Sequence, residues 1–115
     1  MPITNVLAGL PVTNHDAALD WYERLFGRPA DARPMDGLAD WHFPDTGSVQ
    51  LVEDAERAGG GLVTLTADDL QADVEAMRQR GVQVGQVDDT TSDKVLFVSV
   101  SDPEGNLITL VRPKA

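Results

Sequence analysis

Apolar and polar positions follow two rhythms along this chain. Val6-Leu7-Ala8-Gly9-Leu10-Pro11-Val12 is a short apolar run bounded by polar residues, which suits a strand whose Pro11 lies at an unpaired edge or a break. Ala18, Leu19, Tyr22, Leu25 and Phe26 then recur at helical spacing. Asn14 offers an N-cap, Asp16 sits in the first turn, where the helix dipole favours an acid, and Gly27 is a natural stop, so the pattern predicts an amphipathic helix from Asp16 to Phe26. Residues 28–38 are polar and carry two prolines, which reads as an irregular edge strand plus a turn. Ala39-Asp40-Trp41-His42-Phe43 alternates as a strand does, Pro44-Asp45-Thr46-Gly47 is a turn cluster, and Ser48-Val49-Gln50-Leu51-Val52 is a further strand.

The pattern then restarts. After the charged stretch that ends in Gly59-Gly60-Gly61, Leu62 to Ala67 reads as a strand, with Asp68 or Asp69 as the next N-cap. Leu70, Val74 and Met77 continue at helical spacing to Gly81, and Val82-Gln83-Val84 begins a weak strand. Val95 to Val100 and Leu107 to Val111 are strand-like runs around the turn residues Asp102-Pro103-Glu104-Gly105-Asn106, a hairpin signal. Laying Gly27 on Gly81 superimposes helix on helix, a repeat of about 54 residues. The fold class this predicts is α+β, as two tandem βαβββ modules in one domain spanning 1–115: about 1–56, a glycine-rich linker at about 57–61, and about 62–115.

Composition narrows the function. Nineteen acids against nine bases give a net charge of −10, which disfavours a nucleic-acid surface and speaks first to solubility, then to a rim that attracts cationic guests. With no cysteine, disulfides, thiolate metal sites and a Cys nucleophile are excluded. The chain carries no apolar run long enough to span a bilayer and no leader-like start, so a cytoplasmic location without membrane partners is expected.

Val12-Thr13-Asn14 before the first helix, Trp21-Tyr22-Glu23-Arg24-Leu25-Phe26-Gly27 within it, Gly81-Val82 after the second, and Asp102-Pro103-Glu104-Gly105-Asn106-Leu107-Ile108 near the end together resemble the vicinal oxygen chelate superfamily, which includes glyoxalase I, bleomycin-resistance proteins and extradiol dioxygenases. The resemblance covers nearly the whole chain. It implies that each module rolls its strands into a curved trough and that two modules enclose a cavity. Enzymes of that superfamily place four metal ligands there, typically His and Glu, from the first and fourth strands of each module. The corresponding positions here are Leu7, Gln50, Leu62 and Thr109. Two leucines, an amide and a hydroxyl cannot extract a divalent ion from water, so no metal and no cofactor are expected.

Strand parity then nominates a ligand wall. If Leu7 faces the cavity, so do Gly9 and Pro11; Ser48, Gln50 and Val52, Leu62, Thr64 and Thr66, and Leu107, Thr109 and Val111 follow by the same rule. Trp41 and Phe43 share a face and are candidates to stack on a planar or cationic ligand, or else core. His42 between them is either solvent-side or a pocket hydrogen-bonder, and His15 reads as a surface or capping residue. Tyr22 reads as core, Trp21 as core or dimer contact, and Asp36, Asp40, Glu53 and Asp54 as a solvated surface or a pocket rim. The candidate ligand-binding set is Leu7, Gly9, Trp41, His42, Phe43, Gln50, Leu62, Thr64 and Thr109, with no catalytic residue, since no base stands beside a nucleophile.

These readings favour a metal-free small-molecule-binding protein of the bleomycin-resistance type, which sequesters a drug-like or metabolite ligand, cationic or aromatic, in the inter-module cavity. An enzyme of the same fold with a metal-independent or unrecognised site is the alternative. A third reading, an accessory domain, predicts a trough filled by Trp41 and its neighbours. The resemblance also implies a homodimer, its modules paired within one chain or exchanged between two.

Overall fold

Asn14 accepts a hydrogen bond from the Ala17 N–H through its side chain, and Gly27, at φ 74°, releases the chain after Phe26. Between them helix α1 runs His15–Phe26 and turns Ala18, Trp21, Tyr22 and Leu25 into the core. In the computed structural model, which describes residues 2–114, α1 follows strand β1 (Leu7–Val12) and precedes β2 (Leu38–Phe43) and β3 (Gly47–Glu53). The second half repeats the order as β4 (Leu62–Thr66), α2 (Leu70–Gln79), β5 (Val95–Ser101) and β6 (Leu107–Pro113), with Asp69 as the α2 N-cap.

Each half forms one mixed sheet of the same topology, β1-β3-β2 and β4-β6-β5. In each, the first strand pairs parallel with the last and the two hairpin strands pair antiparallel. The registers also correspond: Leu7 lies opposite Ser48 and Gly9 opposite Gln50, as Leu62 lies opposite Leu107 and Thr64 opposite Thr109. The architecture is α+β in two tandem modules, as predicted, but each module is βαββ. The missing edge strand survives only as a bridge, Ala32 to Asp40 in one half and Asp88 to Phe97 in the other. Pro29 and Pro34 withhold two donors from the first. In the second, the Arg78 guanidinium takes the carbonyls of Val84 and Gly85, and the Asp88 carboxylate folds back onto the N–H groups of Thr90 and Thr91. The Thr91 hydroxyl, which donates to the same carboxylate at 2.7 Å, and then those N–H groups hold the Asp88 carboxyl down at about 2.

Both helices lie on the same side of the sheets and share one core. Leu10, Tyr22, Leu25, Trp41 and Leu51 from the first half meet Leu70, Val74, Ile108 and Leu110 from the second. Pro11 sits on β1, a sheet-edge strand, where its missing N–H costs nothing.

The turn Asp102 to Asn106 does more than close its own hairpin. The Asp102 carboxylate, buried at 4% exposure, accepts from the Tyr22 hydroxyl at 2.6 Å, the Asn106 amide at 2.7 Å and the backbone N–H groups of Glu104 and Asn106 at 2.9 Å. Asn106 in turn donates to the Pro11 carbonyl and accepts from the Gly61 N–H, both at 2.7 Å. The Glu104 carboxylate takes the N–H groups of Thr13 and Asn14 at the start of α1, which holds its pKa below the usual carboxylate range. At the other end of α1, Arg80 donates to the carbonyls of Arg24 and Leu25. Helix α1 is therefore finished at both ends by side chains from the second module.

The glycine run is part of this seam. A Cβ on Gly61 would stand 2.7 Å from Asn106 Oδ1 and 2.9 Å from Pro11 Cδ, and one on Gly59, at φ 82°, would stand 2.4 Å from the Glu104 carbonyl oxygen. The linker composition records a close approach of backbones.

Candidate functional site

Strand parity and register place the candidate residues on two opposite faces. On the face turned away from the helices, three rows cross the first sheet: Leu7, Ser48 and His42; Gly9, Gln50 and Asp40; Pro11, Val52 and Leu38. The second sheet continues them with Leu62, Leu107 and Ser101; Thr64, Thr109 and Ser99; Thr66, Val111 and Phe97. Seven of the nine predicted ligand residues, Leu7, Gly9, His42, Gln50, Leu62, Thr64 and Thr109, share this face.

Trp41 and Phe43 do not. They alternate with Asp40 and His42 and point to the helix side, where Trp41 is fully buried. Its ring lies 5.1 Å from Phe26 and 6.1 Å from Tyr22, Phe43 lies 5.8 Å from Phe26, and the indole N–H donates to the Arg28 carbonyl at 3.1 Å. The ligand role considered for Trp41 is corrected to a core role, while Phe43 packs on the helix side half-buried and also borders the depression beside His42 and Ser48. Trp41 accordingly does not fill the trough. Tyr22 and Trp21 are core as well, and burial first, then the bond to Asp102, pushes the Tyr22 phenol pKa up.

The trough is open. Leu7 is 45% exposed and Leu62 71%, and a Cβ built on Gly9 would meet nothing within 4 Å. Two depressions border this face, one of about 550 Å³ against Asn5, Val6, His42 and Ser48, the other of about 840 Å³ against Gly9, Pro11, Gly61 and Leu62. Within a single chain these are clefts, where the resemblance implied an enclosed cavity.

The four positions corresponding to metal ligands lie on this face but do not suit an ion. Leu7 and Leu62 carry no donor atom, the Gln50 amide N–H₂ donates to Asp40 Oδ1 at 3.0 Å, and the Thr109 hydroxyl is paired with Ser99 Oγ at 2.9 Å. Among the described residues no three His, Asp or Glu side chains gather where a metal could be held.

Polar pairs that sequence reasoning missed do stand here. His42 Nδ1 lies 2.8 Å from Ser48 Oγ, and the Asn5 amide reaches the same oxygen at 3.5 Å, so a base does stand beside a hydroxyl. Asp40, read as solvated surface or rim, is only 5% exposed. Its place was legible in the parity it shares with His42. His15, read as a surface or capping residue, is also buried, its Nε2 3.2 Å from the Leu51 carbonyl oxygen, because α1 begins one residue earlier than Asp16 and turns it onto the sheet. Nearby, Asp31 receives the His42 backbone N–H and the Arg28 guanidinium, and its pKa is lowered, first by that N–H and then by Arg28. No helix among the described residues is long and apolar enough to cross a membrane.

Residues 4–110 match the profile of the Glyoxalase/Bleomycin resistance protein/Dioxygenase superfamily. Among solved structures, a glyoxalase/bleomycin resistance protein from Catenulispora acidiphila DSM 44928 superimposes with a TM-score of 0.88 at 31% identity, covering 96% of this chain and 98% of that one. An antibiotic-binding protein from Streptomyces sp. CB03234 follows at 0.79 and 28%, covering 99% of each chain. A bleomycin resistance determinant encoded on the transposon Tn5 shares the fold at 0.78 and 18%, covering 98% of this chain and 100% of that one. No curated protein matches the chain by sequence.

Proposed function

Since the chain belongs to the glyoxalase/bleomycin resistance protein/dioxygenase superfamily, we propose that it is a metal-free small-molecule-binding protein that sequesters a drug-like or metabolite ligand, cationic or aromatic, on the trough face of one two-module domain. The observation that carries this reading is the make-up of that face. Where metalloenzymes of the superfamily carry His and Glu, it offers Leu7, Gln50, Leu62 and Thr109, an apolar floor with scattered neutral hydrogen-bonding groups. The 28% identity to an antibiotic-binding protein supports the same direction. We place its action in the cytoplasm, which suits a chain without cysteine.

Both tryptophans lie off the trough face, so calorimetry is the better test. Titrating a panel of cationic and aromatic antibiotics, bleomycin among them, is expected to give saturable binding with a Kd of about 1 μM or tighter for at least one compound. A folded protein that returns no heat with any of them would sink the reading.

A homodimer forms part of the proposal. Leu7, Leu62, Val6 and Ile3 are 45 to 80% exposed, an apolar strip that a second copy would cover while walling the open trough. Sedimentation equilibrium should return the mass of two chains; a single-chain mass at micromolar concentration rules the dimer out.

The His42–Ser48 pair favours a second reading, a metal-independent enzyme of the same fold with Ser48 as nucleophile. A fluorophosphonate probe would then label the wild type and spare Ser48→Ala. Equal or no labelling of both leaves the pair as a cross-strand hydrogen bond.

A further inference from the structure

Two acids are buried in this molecule to nearly the same extent, Asp102 at 4% exposure and Asp40 at 5%, and their surroundings differ sharply. Asp102 is held by four donors. Asp40 has one, the Gln50 amide on Oδ1, and no hydrogen bond among the described residues reaches its Oδ2. No cation offsets it either, since the ion pairs among the described residues engage Asp20, Asp31, Asp54 and Glu75. Asp40 Oδ2 is not among the fully buried unpaired atoms of the described residues, so this oxygen is an acceptor left open to a partner.

We infer that Asp40 and Gln50 form the recognition point for an amine or amidinium cation, a ligand that presents at least two N–H donors on positive charge. The inference rests on the small-molecule-binding reading and names the chemistry of that site. Because Gln50 gives its N–H₂ to Asp40 Oδ1, its carbonyl oxygen takes no hydrogen bond among the described residues, so Gln50 Oε1 and Asp40 Oδ2 are two unused acceptors on paired residues of the middle row. The third member of that row is Gly9, over which space is open, so a flat ligand can rest on bare backbone and reach both acceptors. The equivalent row of the second sheet, Thr64, Thr109 and Ser99, is uncharged, and its Thr109 and Ser99 hydroxyls already satisfy each other. The trough therefore reads a cation on one side only. Ala32, across the bridge from Asp40, and Leu38 and His42, its neighbours on the same face of β2, supply no fixed positive charge.

The test uses two fluorescent tricyclic probes, proflavine, a cation carrying amino N–H groups at neutral pH, and acridine, its neutral relative. Wild type should bind proflavine at least about tenfold more tightly than acridine, and Asp40→Asn should erase that preference while leaving acridine affinity unchanged. Since no ion pair is lost, Asp40→Asn should also leave the melting temperature close to wild type. Acridine binding without preference for proflavine overturns the inference and leaves the binding reading standing. Unchanged proflavine affinity in Asp40→Asn, equal loss of both probes, or a marked fall in melting temperature likewise overturns it. Binding of neither probe by wild type also overturns the inference, and the calorimetric panel then decides the reading beneath it.

Discussion

Replacing Asp102 with alanine is expected to lower stability by about 3–4 kcal/mol, a fall in Tm of ~10–15 °C for a domain of this size. The loss exceeds that of an ordinary turn residue because four donors converge on this one carboxylate, and each is left inside the protein without an acceptor. Tyr22→Phe alone should cost about 1 kcal/mol, and much less in the Asp102→Ala background, since the hydroxyl has already lost its partner there. Thermal melts of the two single variants and the double variant complete the cycle. Additive losses would show that Tyr22 and Asp102 contribute independently, and a fall in Tm under about 3 °C for Asp102→Ala would show that the turn is no more than a hairpin closure.

Trp41→Ala should be comparably damaging, at about 3–5 kcal/mol, because a fully buried indole is removed from beside Tyr22 and Phe26 and leaves a cavity between β2 and α1. The Arg28 carbonyl loses its indole donor as well. Trp41→Phe keeps most of the volume and should cost about 1–2 kcal/mol. The pair separates packing from recognition. With Trp41 on the helix side, Trp41→Phe should bind ligands as wild type does, and a folded Trp41→Phe that lost binding would return the residue to the trough.

Much of the architecture was legible because its signals are local. Helical spacing from Ala18 to Phe26, the cap at Asn14 and the stop at Gly27 act within one turn of the residues that carry them, and they recur in the second half. The edge strand was overread in both halves because its failure depends on partners outside the segment, such as Arg78 reaching the carbonyls of Val84 and Gly85. The site divided along the same line. The family resemblance put Leu7, Gln50, Leu62 and Thr109 on a common face, and parity carried the alternate residues of each strand with them. Trp41 and Phe43 needed one more fact, which side the helices cover, and an aromatic pair looks alike from either side. Asp40 was read only as surface or rim because an acid in an acidic chain is most often solvated, and only the tertiary structure shows that little of it is exposed.

The completion of α1 from both ends by the second module also bears on how the protein is made. Glu104 holds the helix start and Arg80 its end, and Asn106 ties the last hairpin to Pro11. A nascent chain that has exposed only its first half keeps the local caps at Asn14 and Gly27 but lacks the Glu104 and Arg80 contacts to α1 and has a β1 edge with no neighbour. Its low-energy state becomes reachable only when the final strand leaves the ribosome, so synthesis and folding end almost together, and truncation before residue 106 should yield a chain without a stable fold.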